Sequence, residues 1–392
     1  MKKSDRWLLP EGIEEVLPEK AARLEALRRS LLDMYTSWGY ELVMPPFIEY
    51  LESLLTGTGH DLDLQTFKLT DQLTGRMMGV RADMTPQVAR IDAHQLKRET
   101  PTRLCYMGTV LHTRSDGFAG SRSPLQLGAE LYGHSGVESD VEVLSLMLET
   151  LALANINTPY LDLGHVGIFR GLAQQAGLNE DQEAELFDAL QRKSAVELNQ
   201  LVERWKLDKK ISTMLTALAS LNGGIEVLDK AENVLSAAND SVKQALANLK
   251  AIATQIGSRF DVPVNFDLAE LRGYNYHTGV VFSAYVAGQG QAVAQGGRYD
   301  DIGQVFGRAR AATGFSTDLK NLVETFQAQQ DNSGAIFAPS DNDIELIKTI
   351  SALRRQGERV ICELPGQTGN GKDMGCDREL VKSGDTWQVK SI

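Results

Sequence analysis

Asp83, Gln126, Glu130, Arg272, Tyr276 and Tyr299 fall on or beside segments that read as β-strands, where a half-buried sheet ordinarily takes apolar side chains. Side chains alternate along a strand, so Gln126, Gly128 and Glu130 share one face. A glutamate buried there needs a hydrogen-bonding partner or a bound cation. Taken singly, each of these residues reads first as a structural group paired with a neighbour. As a group, they make the case for a polar pocket.

Other motifs carry less. Gly366-Gln-Thr-Gly-Asn-Gly371-Lys372-Asp373 follows a predicted strand with the spacing of a phosphate-binding loop, but Asp373 stands where a hydroxyl should meet magnesium. Too little chain follows for the helix and strands such a fold requires, so a turn is expected. Gly288-Gln-Gly290 lies between two apolar alternating runs and reads as a hairpin reversal. Asp300 and Asp301 could ligate a metal, but adjacent carboxylates after a turn are more often solvated or capping groups. No nucleophile, base and orienting group can be assembled from spacing.

The chain has 392 residues, 42% apolar and 23% charged, which predicts two or three soluble folding units. Its 40 basic and 52 acidic side chains leave a net charge of −12, which disfavours non-specific binding to nucleic acid or anionic membrane. No apolar run is long enough for a membrane helix, and the start does not read as a signal peptide. Cys105, Cys362 and Cys376 are odd in number and widely spaced, as in a reduced, cytoplasmic protein, and with six scattered histidines they supply no metal pattern. No cofactor is expected.

The elements that must position the polar group follow from periodicity. Leu24, Leu27, Leu31, Met34 and Trp38 predict an amphipathic helix over Lys20–Trp38, closed by Gly39. Strands are expected at Tyr40–Met44, Arg76–Val80, Arg103–His112 and Leu125–Tyr132, the last two joined by the loop Thr113–Pro124. Thr85 reads as an N-cap before Pro86. A helix is expected from Asp140 to Leu153, and helical patterning runs from Leu172 to Ile256 with a break at Asn222–Gly224. Strands return at Asn265–Leu271, Thr278–Val286 and Gln291–Gln295, followed by a Gly-rich turn Gly296–Tyr299 and a helix Thr317–Gln329. A short tail reads as strand Ala335–Ala338, helix Asp341–Gln356 and strand Arg359–Leu364. The expectation is an α+β fold: an antiparallel sheet core in two parts (1–170 and 258–330), a helical insertion (171–257) and a small αβ domain (331–392).

In this order the segments resemble the histidyl-tRNA synthetase branch of the class II aminoacyl-tRNA synthetases. Gly39-Tyr-Glu-Leu-Val-Met-Pro45 resembles motif 1, which builds that family's dimer interface, and Tyr106 to Gly133 resembles motif 2. Arg272-Gly-Tyr-Asn-Tyr276-His277 and Gly296-Gly-Arg-Tyr-Asp300 resemble the two histidine-binding signatures, and Gly314-Phe-Ser-Thr-Asp-Leu-Lys-Asn321 a degenerate motif 3. The resemblance implies that Asp83, Thr85 and Gln126 hold a substrate ammonium. It also implies that Glu130, Tyr276, His277 and Tyr299 surround an imidazole and that Arg272 faces a carboxylate. His277 replaces the second tyrosine of its signature.

On the phosphate side the family's cations are missing. His112 and Arg114 stand where motif 2 places an ATP-binding arginine and an acid, and Asn321 replaces the motif 3 arginine. If each lost contact costs about 3 to 4 kcal/mol, two losses slow adenylation by about four to six powers of ten. A synthetase paralogue with a kept histidine pocket, a degenerate ATP site, a Trp7-Leu-Leu-Pro-Glu-Gly start and a tail too short for an anticodon-binding domain resembles ATP phosphoribosyltransferase regulatory subunits. That resemblance implies a non-catalytic homodimeric core in a hetero-octamer with short-form catalytic subunits, activating them and mediating feedback inhibition by free histidine. A divergent ATP-dependent ligase or a tRNA-binding regulator is the alternative.

Overall fold

Leu27, Leu31 and Tyr35 recur at four-residue steps and are fully buried along one side of the helix Pro18–Ser37. Gly39, at φ +81°, turns the chain out of that helix, a conformation that costs glycine little. The computed structural model describes residues 7–56, 60–115, 121–274, 276–327 and 334–392, with residues 60 and 61 described in backbone only. The chain divides into two units, Met1–Gln327 and Ala328–Ile392.

The first unit is built on a nine-stranded sheet in the order Glu41–Val43, Thr102–Thr109, Leu125–Tyr132, Ala312–Asp318, Ala294–Arg298, Val280–Tyr285, Tyr160–His165, Val264–Asp267, Asn222–Gly223. The pairs Glu41–Val43 with Thr102–Thr109 and Tyr160–His165 with Val264–Asp267 are parallel, and the other pairs are antiparallel. Period-two alternation sorts Leu125–Tyr132 into two sets. Leu127, Ala129 and Leu131 enter one apolar core with the helices Val137–Leu153, Val166–Ala176 and Asp240–Gly257, while Gln126 and Glu130 face away from it. A smaller sheet pairs Met77–Val80 with Ile48–Tyr50 and Phe67–Thr70.

The expected helical stretch holds the helices Val166–Ala176, Glu180–Gln191, Ala195–Arg204, Lys209–Ala217, Glu226–Val234 and Asp240–Gly257. Their buried residues join the sheet's own core cluster. The expected break at Asn222–Gly224 contributes Asn222–Gly223 as an edge strand against Phe266 and Asp267.

Three local expectations are corrected. The Gly-rich segment at 296 is no turn but part of the strand Ala294–Arg298, because a Cβ at Gly296 would collide with the Gly314 carbonyl and the Phe282 ring across the sheet. The expected helix from Thr317 is a strand, Ala312–Asp318, followed by a four-residue helix, Leu319–Leu322, whose start Asp318 caps through the Lys320 N–H. Thr85 is the first helical residue and not a cap, its hydroxyl being engaged by Tyr106 while Asp83 accepts its N–H.

The second unit is a four-stranded sheet, Val360–Cys362, Ala335–Ala338, Cys376–Ser383, Thr386–Ser391, with the helix Ile344–Arg355 capped by Asp343. The last two strands escaped the sequence reading, since their alternation is masked by charge. Gly366–Asp373 is a turn region: Asn370 accepts the Lys372 N–H at 2.9 Å and Asp373 accepts the Asn370 N–H at 2.8 Å. A strand follows it where a phosphate-binding loop would need a helix.

Candidate ligand pocket

Glu130 sits mid-strand with 1% of its surface exposed, at the bottom of a cavity of about 210 Å³. One carboxylate oxygen accepts from the Tyr106 hydroxyl at 2.8 Å and the other from the Tyr299 hydroxyl. Tyr106 is in turn 2.9 Å from the Thr85 hydroxyl. No cation is hydrogen-bonded to Glu130 among the described residues. Burial therefore pushes its carboxyl up to about 8, against the lowering effect of the two tyrosines. A cationic or strongly donating ligand group would relieve that cost.

The aromatic wall continues from Tyr299. The Tyr276 ring stacks on it at 5.0 Å and 27°, and His277 stands edge-on to Tyr276 at 5.2 Å. Among the described residues the buried Tyr276 hydroxyl has no hydrogen-bond partner, an unfilled demand beside the cavity. His277 Nδ1 lies 3.3 Å from the Arg298 carbonyl, and burial pushes the imidazole down to about 4, so it is neutral at pH 7. This end of the cavity is shaped for a planar group carrying a donor or positive charge.

Asp83 and Thr85 also line the cavity. Gln126 does not line the cavity; its amide donates to Asp83 at 2.7 Å and accepts from the Met84 N–H at 2.9 Å, which orients the aspartate. Arg272 lies at the mouth with its side chain 50% exposed, hydrogen-bonded to Ser283 at 3.2 Å and to the Tyr285 hydroxyl at 3.1 Å. A carboxylate and a guanidinium on the same cavity's lining provide opposite charges for a zwitterion.

The structure thus brings Asp83, Thr85, Glu130, Arg272, Tyr276, His277 and Tyr299 to one cavity, with Gln126 behind Asp83. Asn275 of the signature and residues 116–120 of the motif 2 loop lie outside the described residues. Sequence reasoning missed Tyr106 as a site residue and Gly128 and Gly314 as its condition. A Cβ at Gly128 would strike the Tyr106 ring, and one at Gly314 the Glu130 carboxylate. The available signal was small residues flanking Glu130 on strands that otherwise favour bulk. Arg298 and Asp300 point elsewhere: Arg298 is buried behind the wall on Asp140 at 3.0 Å, and Asp300 accepts from Arg298 and from the Ala312 N–H.

The residues assigned to the phosphate side line no part of this cavity. His112 is 2.9 Å from the Ala82 carbonyl through Nε2, and Arg114 and Asn321 are exposed. Lys320, beside Asn321, reaches Ser123 at 3.2 Å and Glu14 at 3.6 Å. Among the described residues, no group of three His, Cys, Asp or Glu could hold a metal ion.

This fold and cavity define a class II synthetase-like protein. Residues 12–322 match the histidyl-tRNA synthetase family, and residues 333–390 match the ATP phosphoribosyltransferase subunit HisZ C-terminal domain. The chain is 60% identical over 395 residues to an ATP phosphoribosyltransferase regulatory subunit of Thioalkalivibrio sulfidiphilus (all of both chains) and 58% identical over 394 residues to one of Alkalilimnicola ehrlichii (100% of this chain, 98% of the relative). A Bacillus halodurans structure described as an ATP phosphoribosyltransferase regulatory subunit/histidyl-tRNA synthetase superposes with a TM-score of 0.82 at 28% identity, covering 94% of this chain and 96% of that one. Histidyl-tRNA synthetase from Nostoc sp. PCC 7120 shares the fold, with a TM-score of 0.77 at 19% identity over 98% and 95% of the two chains. The chain belongs to the family of ATP phosphoribosyltransferase regulatory subunits. Its role is accordingly regulatory and not catalytic, in histidine biosynthesis, and it implies a catalytic-subunit partner.

Proposed function

We propose that this regulatory subunit senses free histidine in the cavity around Glu130 and passes the signal to a short-form catalytic subunit. The observation that carries the reading is a buried Glu130, held by Tyr106 and Tyr299 with no cation hydrogen-bonded to it among the described residues, in a cavity that Asp83 and Arg272 also line. Glu130 and the aromatic wall suit an imidazole. Asp83 with Thr85 suits an ammonium, and Arg272 a carboxylate. His112 and Asn321 supply no fixed cation for a triphosphate, so adenylation is expected to be lost.

Histidine regulates in this reading by binding one arrangement of the complex more tightly than another, a difference typically of about 1 to 3 kcal/mol. The core is proposed to be a homodimer. Leu42, Met44, Phe47 and Ile48 are exposed on and just beyond the edge strand Glu41–Val43, an apolar edge that a second copy would cover. Assembly with catalytic chains into a hetero-octamer, a cytoplasmic location and no nucleic-acid partner complete the proposal. The net charge of −12 supports the last.

Mixing the protein with a short-form catalytic subunit and measuring phosphoribosyl transfer tests it. Turnover should rise on mixing and fall on adding histidine. Turnover unchanged by either addition would refute the proposal.

A further inference from the structure

Arg170 belongs to the helix Val166–Ala176, outside every signature. Its guanidinium donates to two backbone carbonyls of the pocket wall, Tyr274 at 3.1 Å and His277 at 3.3 Å, and lies 4.9 Å over the Tyr274 ring. The wall also turns around a single carbonyl, since the N–H groups of Tyr276 and His277 both donate to Gly273 at 2.8 Å. Gly273 itself is at φ +64°, with the His277 ring 2.7 Å from where a Cβ would be. Glycine is thus the residue this turn accepts.

Tyr274 faces the opposite way from Tyr276. Its ring is edge-on to Phe169 at 5.2 Å and tilted against Phe187 at 5.5 Å, and its hydroxyl donates to Glu183. One short piece of chain is therefore fastened to the cavity through Tyr276 on Tyr299, and to the helices Val166–Ala176 and Glu180–Gln191 through Tyr274 and Arg170. Charge-assisted bonds to carbonyls and an aromatic plug are stiff connections.

We propose that Arg170 is a positioning residue for the ligand pocket, holding Tyr276 and His277 in place through the Tyr274 and His277 carbonyls, so that pocket occupancy and the packing of helices 166–176 and 180–191 are coupled. The ligand arm of this inference rests on the reading of the cavity as a histidine site. Coupling is reciprocal: whatever loosens those helices weakens the ligand, and the ligand tightens the helices.

Hydrogen exchange of the full-length protein, measured on wild type, Arg170→Met and Arg170→Lys, is the test. Without ligand, the amides of Tyr276 and His277 should exchange about tenfold faster in Arg170→Met, and Arg170→Lys, which keeps a charged donor, should restore most of the protection. Unchanged exchange in Arg170→Met overturns the proposal, whether or not histidine binds. With histidine, wild type should gain protection over residues 166–191, and Arg170→Met should bind about tenfold more weakly without that gain. Equal affinity and equal protection in the two proteins would also overturn it. A wild type that binds no histidine would sink the sensor reading alone, leaving the ligand-free arm to decide the role of Arg170.

Discussion

Gly314 lies directly opposite Glu130 in the antiparallel pair of Leu125–Tyr132 with Ala312–Asp318, and any Cβ at position 314 would occupy the space of the Glu130 carboxylate. The site's buried acid thus exists because its cross-strand neighbour has no side chain. The same pairing puts Ser316 opposite Gly128, whose missing Cβ makes room for the Tyr106 ring.

Replacing Gly314 with alanine should therefore push Glu130 off its tyrosine donors. We expect a loss of about 1 to 3 kcal/mol in folding stability from overpacking and at least a hundredfold loss of histidine affinity, read by chemical denaturation and titration calorimetry. Ser316→Ala, two residue pairs along, serves as the control and should change stability little.

The buried acid predicts a pH signature. Glu130 has its folded pKa raised from 4.5 to about 8 by burial, so between these values the folded state holds a proton that the unfolded state has released. Its stabilising contribution is full below about 4.5 and is lost as pH rises through about 8. Thermal denaturation from pH 5 to 9 should show wild type losing stability with rising pH relative to Glu130→Gln, which cannot ionise. Parallel profiles would contradict the assignment.

Behind the pocket wall, Arg298 and Asp140 form a pair with both side chains almost fully buried. Burial lifts Asp140 to about 6 even beside the guanidinium, so removing Arg298 leaves a carboxylate with little compensation. Arg298→Met should cost about 3 to 5 kcal/mol in stability, measured by denaturant unfolding. The Arg298→Met, Asp140→Leu double variant should recover a large part of that loss.

On the phosphate side, histidine-dependent exchange of pyrophosphate into ATP should be about four to six powers of ten below that of an active synthetase. Restoring single cations by His112→Arg or Asn321→Arg should not bring it back to that level, because each variant leaves the other cation missing. Robust exchange by wild type would defeat the regulatory reading of the site.

The elements whose signal is local were legible. Leu24, Leu27, Leu31, Met34 and Trp38 marked the first helix through period alone, and Leu125–Tyr132 was readable as a strand to the residue because it alternates between turn-rich flanks. Ala294–Arg298 and Ala312–Asp318 were not. Their glycines imitate turns, and only their neighbours across the sheet show that Gly296 and Gly314 are there to admit a ring, a carbonyl and a carboxylate. Arg170 was silent for a related reason: its partners are backbone carbonyls more than a hundred residues away, and a carbonyl leaves no trace in side-chain pattern.

The amino-acid sequence alone determined which charges this protein possesses: the acids and aromatics that line the cavity were present, and arginine was absent at positions 112 and 321. Those identities are covalent and need no fold to be read. What only the tertiary structure decided is the state of those groups. Glu130 is a proton-retaining acid because neighbours from three other strands and their flanks bury it, while Tyr106 and Tyr299 hydrogen-bond it in the space that the absent Cβ of Gly314 leaves. Burial and hydrogen bonding are properties of three-dimensional neighbours, and they set the energy of a charge.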